Sequence, residues 1–304
     1  MRKLFMILAL CMPILAFISC DDDDNDTTYT SKEDFVDLGL SVKWATKNIG
    51  ANADTDYGYY FAWGETVPFE KKDSSNTNNY KYNLNYFNFS IDATNYVKKV
   101  YNWHTYKYID DDKPYDMARA EKTGEIDSAK FTLNKYNTDP QYGKVDGTTS
   151  LNPSDDPTEL YTSTKGRMPT GNEIEELITK CYWQYTKSYH GTGVAGYIVY
   201  KAKATEDMGL VTDVNNNTTN GSRTNPKPKK VTERYSLNDT HIFLPSGGHH
   251  HDAALYSEGK EAIYWTKTLG SAEPSTANCL AFYPEFLSYG SIPRIYGCMI
   301  RPVF

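Results

Sequence analysis

Residues 166–181 read Gly-Arg-Met-Pro-Thr-Gly-Asn-Glu-Ile-Glu-Glu-Leu-Ile-Thr-Lys-Cys and carry the clearest helix signal in the 304-residue chain. Thr170 and Glu173 stand at capping-box spacing, so the side chain of each can satisfy a free amide at a helix start. Ile174, Leu177, Ile178 and Cys181 follow at i, i+3, i+4 and i+7, which puts them on one face. That stripe is packing rather than chemistry, and it makes Cys181 a buried, inert thiol.

Upstream of this helix, Val36 to Ala45 alternates as an early strand, and Tyr57 to Thr66 reads as an aromatic strand and turn. Between Tyr136 and Pro157 the Asp, Asn, Gly and Pro residues give turns. Downstream, Gly196–Ala204, His241–Pro245, Ala262–Thr268, Ala277–Tyr283 and Tyr296–Phe304 read as short strands. Asp213–Lys230 reads as an exposed loop. Many short antiparallel strands, one firm helix and long loops predict an α+β fold in a single domain over residues 35–304.

The N-terminus is an address. Arg2 and Lys3 precede an apolar run, Leu4 to Ile18, that ends at Ser19-Cys20, the layout of a secretory signal over residues 1–19. Cysteine directly after the small residue resembles the bacterial lipoprotein box, which implies lipidation of Cys20. Asp21 to Asp24, Asn25 and Asp26 then form an acidic tether, residues 20–34, that does not fold alone. An acidic run in this place resembles the surface-export signal of Bacteroidetes lipoproteins. The expected location is the outer membrane, lipid-anchored and facing outward, with membrane contact through the lipid only.

Composition narrows the classes further. A net charge of −7 argues against nucleic-acid phosphates as partners, and 39% hydrophobic residues argue against disorder. Five cysteines with no CxxC give neither a zinc knuckle nor a dense disulfide framework. A Cys279–Cys298 bridge is one arrangement, but free thiols are the favoured one, because nothing in the sequence brings the two within bridging distance.

Taken in order, several stretches resemble the major paralogous, FISUMP-type domain of Bacteroidetes surface lipoproteins. They are Val36-Asp37-Leu38-Gly39-Leu40-Ser41-Val42-Lys43-Trp44-Ala45-Thr46, Tyr60-Phe61-Ala62-Trp63-Gly64-Glu65-Thr66, Lys135-Tyr136-Asn137-Thr138-Asp139 and Gly166-Arg167-Met168-Pro169-Thr170. Ile242-Phe243-Leu244-Pro245, Tyr264-Trp265-Thr266 and the closing Arg301-Pro302-Val303 complete the pattern. The match runs from Phe35 to the end, with insertions near 92–130 and 211–236. It implies a C-type-lectin-like fold related to the sulfatase-modifying enzymes, in which a helix–sheet half supports a long-loop half that presents ligand-binding surface. Lys47, where relatives often carry cysteine, and Ile174, in place of the usual aromatic, depart from the pattern.

In the resembling family the stretch before the terminal Arg-Pro-Val motif varies while its flanks persist, which implies ligand choice there. Here it offers Tyr283, Phe286, Tyr289, Arg294 and Tyr296, residue types that dominate binding hot spots. Pro284 and Pro293 are expected to break a regular strand, so that parts loop outward, although Phe286 and Ile295 also fit a core. Trp265 and the His249–His251 loop, with His250 at its centre, are expected to border the same face. His249-His250-His251-Asp252 is the most metal-like run, but adjacent residues rarely converge on one ion, so no metal is expected. Asp155-Asp156 reads as a turn or helix cap rather than a calcium site.

No catalytic residue is assigned. The chain has no GxSxG, HExxH or phosphate loop, and Cys279 and Cys298 lack the active-site sequence of the sulfatase-modifying relatives. No cofactor is expected. The expected function is non-catalytic binding of a glycan or protein ligand at the cell surface through the C-terminal loop face. A pilus-tip or adhesin component is the alternative, and an enzyme of the sulfatase-modifying type ranks below it.

Overall fold

The computed structural model describes residues 35–66, 68, 70–71, 80–81, 99–102, 107–110, 135–140, 145–162, 165–215, 223–231, 234–251, 254–294 and 296–304. The signal segment, the Cys20 lipidation site, the acidic tether and most of the insertion near 92–130 lie outside the described residues.

β1 (Phe35–Val36) pairs with β2 (Trp44–Ala45), β3 (Glu70–Lys71) with β4 (Tyr80–Lys81), and β5 (Lys99–Asn102) with β6 (Lys107–Asp110), all antiparallel. Among the described residues two α-helices follow, the single turn α1 (Thr158–Tyr161) and the longer α2 (Gly171–Lys180). Next come β7 (Cys181–Thr186), β8 (Gly196–Lys201), β9 (Leu210–Asn215), β10 (Arg223–Pro228) and β11 (His241–Pro245). The chain continues with β12 (His249–His251), β13 (Ala254–Tyr256), β14 (Ala262–Leu269), β15 (Thr276–Tyr283) and β16 (Phe286–Pro293). Two sheets have three strands, in the orders β11-β8-β7 and β14-β15-β16, and the others are two-stranded. Short antiparallel strands in small sheets with one firm helix make this an α+β architecture.

Helix α2 forms as its sequence dictates. Glu173 N donates to Thr170 Oγ1 at 3.3 Å and Thr170 N donates to Glu173 Oε2 at 2.7 Å, a complete capping box. Arg167 adds a two-pronged contact to the Glu173 carboxylate at 2.8 and 2.5 Å. Burial opposes the Glu173 charge, but the Arg167 guanidinium and the Thr170 amide outweigh it and hold the carboxyl below its ordinary value. Ile174, Leu177, Ile178 and Cys181 are buried in the main cluster with Trp183, Tyr197, Val199, Tyr264 and Leu280. Each such aliphatic side chain contributes about 1.5–3 kcal/mol by leaving water.

The last eight residues thread between other segments. Single bridges join Gly297 to His250, Cys298 to Phe61, Met299 to Tyr264, and Val303 to both Trp44 and Arg167. Arg301 is buried within this weave. It donates to Asn48 Oδ1 at 2.8 Å, Ala45 O at 3.0 Å and Phe243 O at 2.7 Å. A buried guanidinium is tolerated only when its donors are met, and here the Ala45–Asn48 stretch and β11 meet them.

Several sequence expectations need correction. Pro284 and Pro293 do not break the C-terminal stretch: β15 and β16 form a regular hairpin in register from Thr276↔Pro293 to Tyr283↔Phe286. Pro284 occupies the two-residue turn and Pro293 the strand end, the two places where a missing amide does no harm. His249–His251 is not a loop but strand β12, paired with β13. Asp213–Lys230 is not wholly loop, since β9 and β10 pair in register from Leu210↔Pro228 to Asn215↔Arg223. Asp156 acts as a cap, accepting from Thr158 N at 3.0 Å and Met168 N at 2.8 Å.

Candidate functional site

A groove of about 700 Å3 lies between β7, β10 with the segment after it, and the β15–β16 turn. Its floor is aromatic: Tyr182, Trp183 and Tyr197 are almost closed to solvent. Tyr185 and Tyr235, half-buried, form the walls. The rings brace one another, with Tyr182 stacked on Tyr235 at 4.4 Å and Tyr185 edge-on to Tyr197 at 5.2 Å. A set of rings fixed in this way presents rigid apolar area at little entropic cost.

The rim is basic. Lys187, Lys227, Lys229 and Lys230 line the groove, and Glu285 is the single carboxylate among its lining residues. On a chain of net charge −7 this is a local inversion of sign. Lys229 Nζ donates to Glu206 O at 2.9 Å.

The hairpin turn at the groove mouth is strained. Glu285 has φ +111°, a region that L-residues rarely occupy. Pro284 sets the preceding angle, and Tyr197 holds the turn from below. The Tyr197 hydroxyl donates to Tyr283 O at 3.0 Å and accepts from Glu285 N at 3.3 Å. A non-glycine residue held this way costs about 1–3 kcal/mol and tends to mark ligand-contacting positions.

The tyrosines here are neutral donors. Burial raises Tyr182, and burial together with the Asp207 hydrogen bond pushes Tyr235 up to about 12. Burial also raises Tyr197. Their hydroxyls are engaged as well: Tyr182 with Val231 O at 3.1 Å, and Tyr235 with Asp207 Oδ2 at 2.6 Å.

Of the seven sequence-chosen ligand residues none lines this groove, but two stand beside it. Tyr283 and Phe286 line an adjoining pocket of about 400 Å3 that shares Lys227, Pro284 and Glu285 with it. Tyr283 is 45% exposed. The other five stand elsewhere, and three of them are interior. Arg294 is fully buried over the Trp63 ring, with its guanidinium donating to Tyr136 O. Trp265 is fully buried, its indole donating to Phe61 O at 2.8 Å. His250 is fully buried edge-on to Tyr60 at 4.8 Å. An exposed role is ruled out for these three, because a fold with large aromatic clusters consumes aromatic and cationic side chains internally.

Tyr289 is half-buried and structural, its hydroxyl meeting Asn278 Nδ2 at 2.7 Å. Tyr296 stacks on His249 at 5.5 Å. Residue choice alone missed Tyr185, Lys187, Lys229, Lys230, Tyr235 and Glu285. The run Lys227-Pro228-Lys229-Lys230 was the one legible signal, a basic cluster on an acidic chain.

A smaller pocket of about 340 Å3, bordered by Lys47, Asn52, Tyr59 and Tyr161, lies among the N-terminal loops. It has half the volume and lacks the aromatic floor. Among the described residues no group of three His, Cys, Asp or Glu is placed to hold a metal ion, and no helix is long and apolar enough to cross a membrane. Cys181, Cys279 and Cys298 are free and buried. Burial pushes the Cys181 and Cys279 thiols up to about 12, and Cys298 well above its ordinary value. Comparison with known proteins found no matching family model, no matching curated protein and no matching solved structure.

Proposed function

We propose that this chain is a lipid-anchored, outward-facing binding protein that holds a glycan or protein ligand in the β7 groove and performs no chemistry on it. The carrying observation is the groove itself, with an aromatic floor, a lysine rim and a strained turn at its mouth. Such a site favours retention over catalysis. Its hydroxyls are bonded and neutral, its lining holds one carboxylate, and the three described thiols are buried and do not line it.

Two finer readings belong to the same proposal. The major paralogous domain resemblance and its C-type-lectin-like fold are supported by the motif order and by the helix–sheet body that carries the groove. Surface anchoring is supported by the signal, Cys20 and acidic run of the N-terminal sequence.

The test is to screen the full chain against an oligosaccharide array and a displayed peptide library, beside the variant Gln184→Trp. Gln184 is exposed on the groove lining, so the larger side chain fills the site without touching the core. Ligand capture by the parent that disappears in Gln184→Trp supports the proposal. Capture that survives the substitution places the site elsewhere.

A further inference from the structure

The backbone of β7 narrows what the groove takes. In the β11-β8-β7 sheet, β8 is central and β7 is an edge strand. Lys201 N donates to Thr240 O at 3.0 Å and Ser246 N donates to Ala195 O at 2.8 Å, so the odd-numbered positions of β8 face β11. The even-numbered Gly196, Ile198 and Tyr200 therefore face β7, opposite Thr186, Gln184 and Tyr182. It follows that Cys181, Trp183 and Tyr185 turn their N–H and C=O groups outward. Cys181 O indeed accepts from Gly209 N at 3.2 Å on that outer side.

The N–H and C=O of Trp183 and of Tyr185 have no partner among the described residues, and both residues line the groove. β10 passes nearby but pairs with β9 alone. Pro226 and Pro228 deny it two of the amides that a further ladder would use. Among the described residues the groove is thus a gap along an unpaired strand edge, whose outward N–H and C=O groups can take a further strand.

We infer that the groove accepts an extended acidic peptide segment of a partner protein, which adds to β7 as a further strand. This rests on the groove being the ligand site. The outward groups of Trp183 and Tyr185 recur every second residue, about 6.8 Å, which is the repeat of a peptide's own alternate amides and carbonyls. Sugar hydroxyls carry no such fixed alternation of donor and acceptor. Charge supplies the selection. Lysines beside a bare edge discourage indiscriminate strand pairing, and Lys187, Lys227, Lys229 and Lys230 admit a strand that brings carboxylates. The rings of Tyr185 and Tyr235 then flank the alternate side chains of the added strand.

The experiment pans the full chain against a phage-displayed library of random decapeptides and synthesises the most enriched peptide. The enriched sequences are expected to be rich in Asp and Glu and poor in Pro. Lys187→Glu with Lys230→Glu, both at exposed positions, should weaken the synthetic peptide by about tenfold or more. N-methylation of one alternate set of its backbone nitrogens should weaken it comparably, and methylation of the intervening set should not. No enrichment, indifference to the lysines, or equal sensitivity of both sets overturns the inference. Hexagalacturonate, which is acidic but has no peptide backbone, is tested in parallel. If it binds with the same lysine dependence while no peptide enriches, the peptide inference fails and the groove stands. If neither probe binds, the groove reading fails with it.

Discussion

The guanidinium carbon of Arg294 lies 4.9 Å from the centre of the Trp63 ring, closed to solvent on every side. Trp63 N donates to Arg294 O at 2.9 Å, and Arg294 N donates to Ser275 O at 3.1 Å. The guanidinium also donates to Tyr136 O, so one residue ties the Trp63 turn, the Tyr136 loop and the end of β16 together. A cation over an indole is worth roughly 2 kcal/mol when desolvated. Arg294→Ala should therefore destabilise the fold by about 3–5 kcal/mol, because it leaves a cavity and an unmet carbonyl. Urea denaturation checks this, and a midpoint equal to the parent's would refute the structural role.

Gly171 and Tyr289 are coupled by contact. A methyl group on Gly171 would lie 1.8 Å from the Tyr289 hydroxyl oxygen, which itself is held by Asn278. Gly171→Ala alone should cost roughly 1–3 kcal/mol by overpacking. In a Tyr289→Ala background the same change should be nearly neutral, so the two substitutions are strongly non-additive. A double-mutant cycle on melting curves measures this, and simple additivity would show that the contact does not exist.

The Glu173 carboxyl titrates below its ordinary value in the folded chain. Its stabilising contribution is therefore complete above the unfolded value of about 4.3 and is lost as pH falls through the lower folded value. The stability difference between the parent and Glu173→Gln should be constant from about pH 6 to pH 7 and should shrink below about pH 4. Urea midpoints across that range decide it. A difference that grows on acidification would contradict the assignment.

Glu285 occupies a backbone conformation suited to glycine. Glu285→Gly should stabilise the fold by about 1 kcal/mol, the relieved strain exceeding the added chain entropy. Ligand capture should weaken at the same time if the strained turn serves the groove. A lower melting temperature for Glu285→Gly would show the turn to be relaxed as it stands.

Helix α2 was legible because its cap and its apolar stripe lie within a dozen consecutive residues. The burial of Cys181 followed from the same stripe. The β15–β16 hairpin was obscured by two prolines, which mark a turn and a strand end and yet read locally as breaks. Arg294, Trp265 and His250 were misplaced because large aromatic cores and binding surfaces draw on the same residue types, and only the tertiary arrangement separates them. Beyond its lysines the groove could not be read, since it gathers Tyr182–Tyr185 with Lys187, Tyr197, Lys227–Val231 with Tyr235, and Pro284–Glu285 from four separate stretches. Its bare backbone edge is a property of sheet order, which side-chain patterns do not encode.

The central claim is that β7 presents an open backbone edge in a ligand groove, and amide hydrogen exchange measures it residue by residue. In the free protein the amides of Tyr182, Gln184 and Thr186, bonded to β8, should exchange slowly. Those of Trp183 and Tyr185 should exchange orders of magnitude faster. On saturation with the peptide recovered from the display library, the Trp183 and Tyr185 amides should become protected while the other three change little. Uniform slow exchange along β7 in the free protein would mean that the edge is already paired. Exchange at Trp183 and Tyr185 that is unaltered by a bound peptide would mean that the ligand does not lie there.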